Sequence, residues 1–197
     1  LGASDYVRGL ADRPKASQAA IDEATKLALA PFDVKENPEN PYTLHAELQE
    51  SMNDLAGIIR KEGELQEALA KIDELKARYA NVVVEGGRVF NPGWHLAIDM
   101  RNMLLVSECV AKAALERTES RGGHTRDDFP KMDAGWRNKL LVCKVAPGAA
   151  DDVVPEVTVT PEQQPVMQAD LLATFELSEL EKYYTDDQLA EHPERKG

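Results

Sequence analysis

The sequence predicts a mainly α-helical fold: an antiparallel bundle of three to four helices with a small β-containing C-terminal appendage. Three observations carry that prediction. Apolar residues recur in steps of three and four from Leu44 to Ile59, and again from Leu65 to Tyr79. The connections between these long periodic stretches are short, which favours antiparallel neighbours. Beyond Pro130 the pattern changes to short alternating runs that suit strands.

Taken in order, Lys15–Ala30 places Ile21, Ala24, Leu27 and Ala28 on one helix face, and Pro31 closes it. The Pro/Asn-rich ENPENPY follows as a linker, with Pro41 and Tyr42 opening the next helix. Thr43–Lys61 carries Leu44, Leu48, Met52, Leu55 and Ile59 on one face. Gly63 breaks that pattern, and Leu65, Leu69, Ile72, Leu75 and Tyr79 resume it through to Val83. EGGR is a stop. NPGW then leads into the most apolar helix, Trp94 to about Thr118, with Leu96, Met100, Met103, Leu104, Val106, Val110 and Ala114. Apolar on most sides, it should be the central and most covered element. Leu140–Val145 and Glu156–Thr160 read as strands, and the sequence leaves open whether they pair as one hairpin. From Phe175 onward a short helix and a frayed acidic end are expected. The resulting division is a helical domain over 1–136 and an appendage with tail over 137–197.

Composition removes several function classes. A net charge of −12 leaves no clustered basic surface for a phosphate backbone, so nucleic acid is not an expected partner. It suits a soluble chain that repels its own copies. No apolar run approaches the roughly 18 residues of a membrane span. The start, LGASDYVRGL, lacks the layout of a signal peptide and begins without Met, as a processed chain or a portion of a longer one would. Cys109 and Cys143, far apart in apolar surroundings, read as buried free thiols, with a disulfide between them left open. Neither GxGxxG, GxxxxGK[ST] nor GxSxG occurs, and the cysteines and histidines lack zinc spacing. His95 reads as structural, and His45 and His192 as solvated. Met52, Met100 and Met103 read as core packing.

The densest chemistry is ESRGGHTRDDFP, Glu119–Pro130, at the end of the most apolar helix. Three readings compete. It is a solvated helix end with Gly122 as cap, a metal site of His124, Asp127 and Asp128, or a docking surface fixed by paired charges. The loop leaves a core helix and is anchored by Phe129 and Pro130, which favours docking. Asp99, Arg101, Asn102 and Glu108 also interrupt the apolar stripe, and buried charges need partners.

These residues resemble a known family. Gln49, Met52, Gly57, Ile58 and Arg60, then Arg101, Asn102 and Glu108, then Glu119–Pro130 match the C-terminal helical region of the succinate dehydrogenase/fumarate reductase flavoproteins. The likeness runs from about Tyr42 to Trp136. Gly123 stands where many members have Ala. L-aspartate oxidases share a shorter version of the final motif.

The resemblance implies part of an oxidoreductase that moves a hydride between succinate and FAD and passes electrons to an iron–sulfur subunit. It also implies a cytoplasmic location, on the inner face of the cell membrane through anchor subunits. The family's flavin-binding and catalytic positions match nothing here, so this segment is expected to bind no cofactor or metal itself. Arg101, Glu108, Arg121, His124, Arg126 and Asp127 become expected docking residues toward the flavin-binding and capping domains. On that reading their ion pairs are exposed when the rest is absent, so Arg126→Ala should weaken assembly and barely change the isolated bundle. The rivals are a free-standing helical interaction module, an L-aspartate oxidase-type domain and, least favoured, a small metal hydrolase using His124.

Overall fold

The computed structural model describes residues 2–10, 15–148, 153–165, 167–181, 184, 186–190 and 192–195. They group into two units: Leu1–Asp133 with Cys143–Val159, and Ala134–Val142 with Thr160–Gly197.

In the first unit, α1 (Gly2–Gly9) is a fully exposed helix that the apolar pattern did not announce. α2 (Gln18–Leu29) starts where Ser17 Oγ accepts the Ala20 N–H, at 3.2 Å. Its end passes into a 3-10 turn, Ala30–Phe32, that contains Pro31.

Three long helices make the bundle: α3 (Pro41–Leu55), α4 (Glu62–Tyr79) and α5 (Pro92–Glu116). Two of them open in the same way. Asn40 and Asn91 cap α3 and α5 by accepting the N–H of Tyr42 and Trp94, and each is followed by proline at the first helical position. α4 carries Glu62 and Glu64 in its first turn and Lys76 and Arg78 in its last, complementing the helix dipole.

Leu44, Leu48, Ile72, Leu75, Tyr79, Ala97, Met100, Leu104 and Ala111 form the main core where the three helices meet. Met52 and Met103 pack at its margin. Tyr79 enters this core with its hydroxyl donating to the Ala97 carbonyl at 2.9 Å, which satisfies the one polar atom that it buries. Trp94 joins α5 to α2 by donating its indole N–H to the Ala28 carbonyl at 2.6 Å. On the α3–α4 seam Arg78 grips Glu39 and Glu47, and Lys71 bridges Glu47 and Glu74. Those hydrogen bonds, led by Arg78, hold the Glu47 carboxyl at about 2.

Two sequence expectations change here. The helix expected over Thr43–Lys61 ends at Leu55, and Gly63 lies inside α4 with open space beside it. The break falls instead at Gly57, where a Cβ would stand 2.5 Å from the Asn53 carbonyl oxygen, so only glycine lets the chain turn this closely. α5 is also less covered than its composition suggests. Ile98, Val106 and Val110 are exposed on one side, Val106 by 59%.

The two C-terminal strands pair: β3 (Lys139–Val145) with β4 (Val157–Gln163). Glu108 is buried on α5 and meets Lys76 of α4, Lys112 at 2.7 Å and the Val157 N–H at 3.2 Å. Arg101 donates to the Val153 carbonyl at 2.7 Å. Two of the charges that interrupt the apolar stripe of α5, Arg101 and Glu108, therefore hold residues 153–157 against the helices.

The second unit contains the short helices α6 (Ala169–Leu172), α7 (Leu177–Leu180) and α8 (Asp186–Leu189). His192 is buried there and bonds to the Phe175 carbonyl at 3.0 Å, rather than being solvated. Arg195 pairs with Glu181 and Asp186.

Candidate functional site

The loop after α5 is a clasp that joins the ends of three helices. It begins at Glu119, which is fully buried. Its carboxylate accepts Arg117 at 2.5 Å, a two-pronged grip from Arg121 at 2.9 Å, and the Asp133 N–H at 2.9 Å. Burial would raise this carboxyl, but the bonds from Arg121, the Asp133 amide and Arg117 outweigh it and hold it at about 2. Glu119 thus draws the two ends of the loop together.

Between those ends Arg121 and His124 exchange backbone hydrogen bonds around Gly122–Gly123. Gly122 has φ +58°, a conformation that a side chain would strain. Ser120 Oγ accepts the Arg126 N–H at 2.8 Å and donates to the Phe129 carbonyl at 2.8 Å. β2 (Thr125–Arg126) then runs parallel to β1 (Ile59–Arg60), with Thr125 opposite Ile59.

Arg126 is 1% exposed and is the largest side chain buried this deeply. Its Nη1 donates to the carbonyls of Ala114, Leu115 and Arg117 at 2.8, 3.0 and 3.4 Å, capping the end of α5. Its Nε and Nη2 meet the two oxygens of Asp128, both at 2.7 Å. Asp128 in turn accepts the Glu62 N–H at 3.0 Å, supplying the cap of α4 that Lys61 does not. Arg126 holds the Asp128 carboxyl at about 2. A cation therefore sits at the negative end of α5 and an anion at the positive end of α4. Phe129 lies under the guanidinium, 5.0 Å from ring centre to Cζ.

Arg60 does the same for α3. Its Nε donates to the carbonyls of Gly57 and Ala56, at 2.8 and 3.3 Å. Its Nη1 reaches His124 Nδ1 at 3.0 Å, while His124 Nε2 lies 3.1 Å from the Arg117 carbonyl. That pairing fits a neutral ring with its proton on Nε2. Burial lowers the pKa of His124, and the nearby Arg60, Arg126 and Arg117 charges add to the shift against the opposing Arg117 carbonyl bond.

Both nitrogens of His124 are engaged and Asp128 is committed to Arg126. Among the described residues no group of three His, Cys, Asp or Glu could hold a metal ion. The expectation that the Arg126 ion pair is exposed in the isolated chain is corrected for the arginine, which is buried against partners within this chain, while the Asp128 side chain is 29% exposed. Of the six residues expected at a docking surface, Arg121, His124 and Arg126 meet in the clasp. Asp127 lies at its rim, with a side chain 60% exposed and 3.8 Å from Lys61. Arg101 and Glu108 belong to the separate anchor of residues 153–157. Arg60, Glu119, Ser120 and Asp128 complete the clasp. Only the distance between 60 and 126 in the sequence concealed their meeting.

Two measurements follow from this geometry. Arg126→Ala leaves Asp128 without its charge partner and the Ala114 and Leu115 carbonyls without their cap, so urea unfolding should show a loss of about 2–5 kcal/mol. A loss within experimental scatter would contradict the clasp. The second concerns acid. His124 has a folded pKa below its ordinary 6.5, so the unfolded chain binds the proton first and stability is lost as pH falls below about that value. Between pH 7 and 5 the Tm should drop, and His124→Gln, which offers one donor and one acceptor, should flatten that drop. Glu119 and Asp128, held at about 2, contribute their own loss only lower, as pH falls from about 4.5 toward 2. An unchanged slope in the variant would rule out the neutral ring.

Comparison with known proteins places this arrangement. The family described as fumarate reductase flavoprotein C-term matches residues 45–179. Mycobacterium smegmatis Sdh1, solved in complex with UQ1, is 72% identical, superposes with a TM-score of 0.87, and is matched over 98% of this chain and 32% of its own. The fumarate reductase flavoprotein subunit of Helicobacter pylori is 34% identical over 142 residues, 71% of this chain and 19% of that protein. The succinate dehydrogenase flavoprotein subunit of Coxiella burnetii is 31% identical over 116 residues, 58% of this chain and 20% of that protein. The chain spans a third or less of the length of these relatives. It belongs to the succinate dehydrogenase/fumarate reductase flavoprotein family, an oxidoreductase family, and corresponds to its C-terminal domain.

Proposed function

We propose that the chain is the structural C-terminal portion of a flavoprotein that interconverts succinate and fumarate, and that it supplies no catalytic residue of its own. The observation that carries this reading is the 72% identity with Mycobacterium smegmatis Sdh1 across 98% of the chain. The flavin would be FAD, held by the remainder of the protein. Among the described residues no glycine-rich turn joins a strand to a helix, the arrangement that would cradle its diphosphate. The glycines at 86–87 and 122–123 sit in loops that lead to an Asn-Pro helix start and a two-residue strand. Electrons would pass to an iron–sulfur subunit, and anchor subunits would hold the assembly on the inner face of the cell membrane. Among the described residues no helix is long and apolar enough to cross a membrane.

The clasp would serve this role by fixing the shape of a surface toward the flavin-binding and capping domains. Asp127 would contact them directly, while Arg121, His124 and Arg126 would hold the loop that presents it. Ile58 and Ile59, 83% and 60% exposed beside β2, are apolar area that a partner domain would cover.

Mixing the chain with the separately produced flavin-binding remainder tests the proposal by co-elution and by succinate-dependent reduction of a dye. Co-elution with restored activity is expected, and Asp127→Lys should weaken it without changing the Tm of the chain. Activity with L-aspartate in place of succinate would assign the chain to that oxidase branch. Two well-folded pieces that elute apart would identify an independent helical module instead.

A further inference from the structure

A cavity of about 250 Å³ lies in the first unit, where the end of α2, the end of α4, Arg101 of α5 and Val153 meet. Its walls are tied together by hydrogen bonds. Trp94 holds the end of α2 through the Ala28 carbonyl, the Val84 N–H donates to the Pro31 carbonyl at 2.8 Å, and Arg101 Nε holds the Val153 carbonyl at 2.7 Å. Leu27, Pro31, Val82 and Val153 give the cavity an apolar lining. Lys26, Lys35 and Arg101 bring three cations to it, against the one carboxylate of Glu23. That balance reverses the chain's own, in which 35 acidic residues stand against 23 basic ones. Neither cysteine lines it; both are free thiols, Cys109 half-buried and Cys143 exposed, rather than both buried as the sequence suggests.

These cations are not committed inside the chain. Among the described residues the side chains of Lys26 and Lys35 have no hydrogen-bond or ion-pair partner, and the bond from Arg101 to Val153 uses Nε alone. Two helices end at the cavity, and their negative ends do not claim the cations either. The Ala30 carbonyl already accepts the Asp33 N–H at 3.1 Å, and the Tyr79 carbonyl accepts the Val82 N–H at 3.0 Å.

We propose that this cavity is a binding site for a small carboxylate with an apolar body. The volume equals about eight waters of the liquid, which limits the ligand to roughly ten non-hydrogen atoms. Its carboxylate would meet Lys26, Lys35 and the Arg101 nitrogens that the Val153 bond leaves over, and a guanidinium fork matches a planar carboxylate. Its body would displace water from Leu27, Pro31 and Val82. A cation-rich concavity on a strongly negative chain concentrates anions locally. Inorganic phosphate would match the charge but leave the apolar wall wet, and a neutral molecule of the same shape would leave the cations unpaired.

Titration of the isotope-labelled chain with sodium benzoate, read by amide chemical shifts, tests the site. Saturable shifts are expected at Ala30, Ala80, Val82 and Val153 with a Kd below about 1 mM, and none at Ser120 or Arg126 of the clasp. Benzamide, the uncharged molecule of the same shape, and inorganic phosphate should each bind at least about tenfold more weakly. Lys26→Met combined with Lys35→Met should weaken benzoate by about tenfold or more. The same variant should keep its Tm within about 2 °C, because neither lysine has a partner inside the chain. Absence of saturable shifts up to about 10 mM benzoate would overturn the proposal. So would benzamide or phosphate binding as tightly as benzoate, or undiminished benzoate binding by the double variant.

Discussion

The domain depends on one ion pair whose arginine is buried. Arg126 and Asp128 stand two residues apart, yet each reaches a different helix. The guanidinium takes the last carbonyls of α5, and the carboxylate takes the first amide of α4. Helix ends leave such groups without intrahelical partners, and burying them unsatisfied would cost several kcal/mol. One pair resolves both ends and sets their separation. Arg60 extends the arrangement to α3, and His124 joins Arg60 to the Arg117 carbonyl on which Arg126 also converges. A substitution at any of these positions is felt at several helix termini, which explains why so much charge is concentrated in a short loop.

A second set of buried charges works on the same principle. Glu108 is almost fully enclosed, but two lysines and a backbone amide surround it, and they keep its carboxyl ionised against the effect of burial. Arg101 secures Val153 in the same region. Arg101 and Glu108, two of the polar interruptions of α5, are thus points at which a later segment of chain returns and is held. What α5 leaves uncovered, at Ile98, Val106 and Val110, is apolar surface on a helix that otherwise forms the core. That surface and the isoleucines beside β2 suit a domain made to be covered by the remainder of a larger protein.

The bundle was legible because its helices are long and their apolar periodicity is strong. Leu44, Leu48, Ile72, Leu75, Met100 and Leu104 all pack where that periodicity puts them. Boundaries were less legible. Gly57 ends α3 through a close backbone approach that no periodicity encodes, and Gly63 resembles a break but is tolerated inside α4. The four-residue helices of the second unit are too short to carry a periodic signal. The loop was recognisable as special from its composition, but its use was not. Opposite charges two residues apart can face solvent or a partner domain, and only the positions of α4 and α5 direct Arg126 and Asp128 inward. His192 was misread for the same reason, since the Phe175 carbonyl that receives it lies 17 residues away.

The family assignment gives this geometry its meaning. The claim at the centre of this account is that Arg126 and Asp128 act as one unit inside the chain. A double-mutant cycle with Arg126→Met and Asp128→Asn, read by urea unfolding, measures that directly. The account predicts a coupling of about 1.5–3 kcal/mol between the two substitutions. Losses that simply add, to within about 0.3–0.5 kcal/mol, would show that the two side chains do not depend on each other.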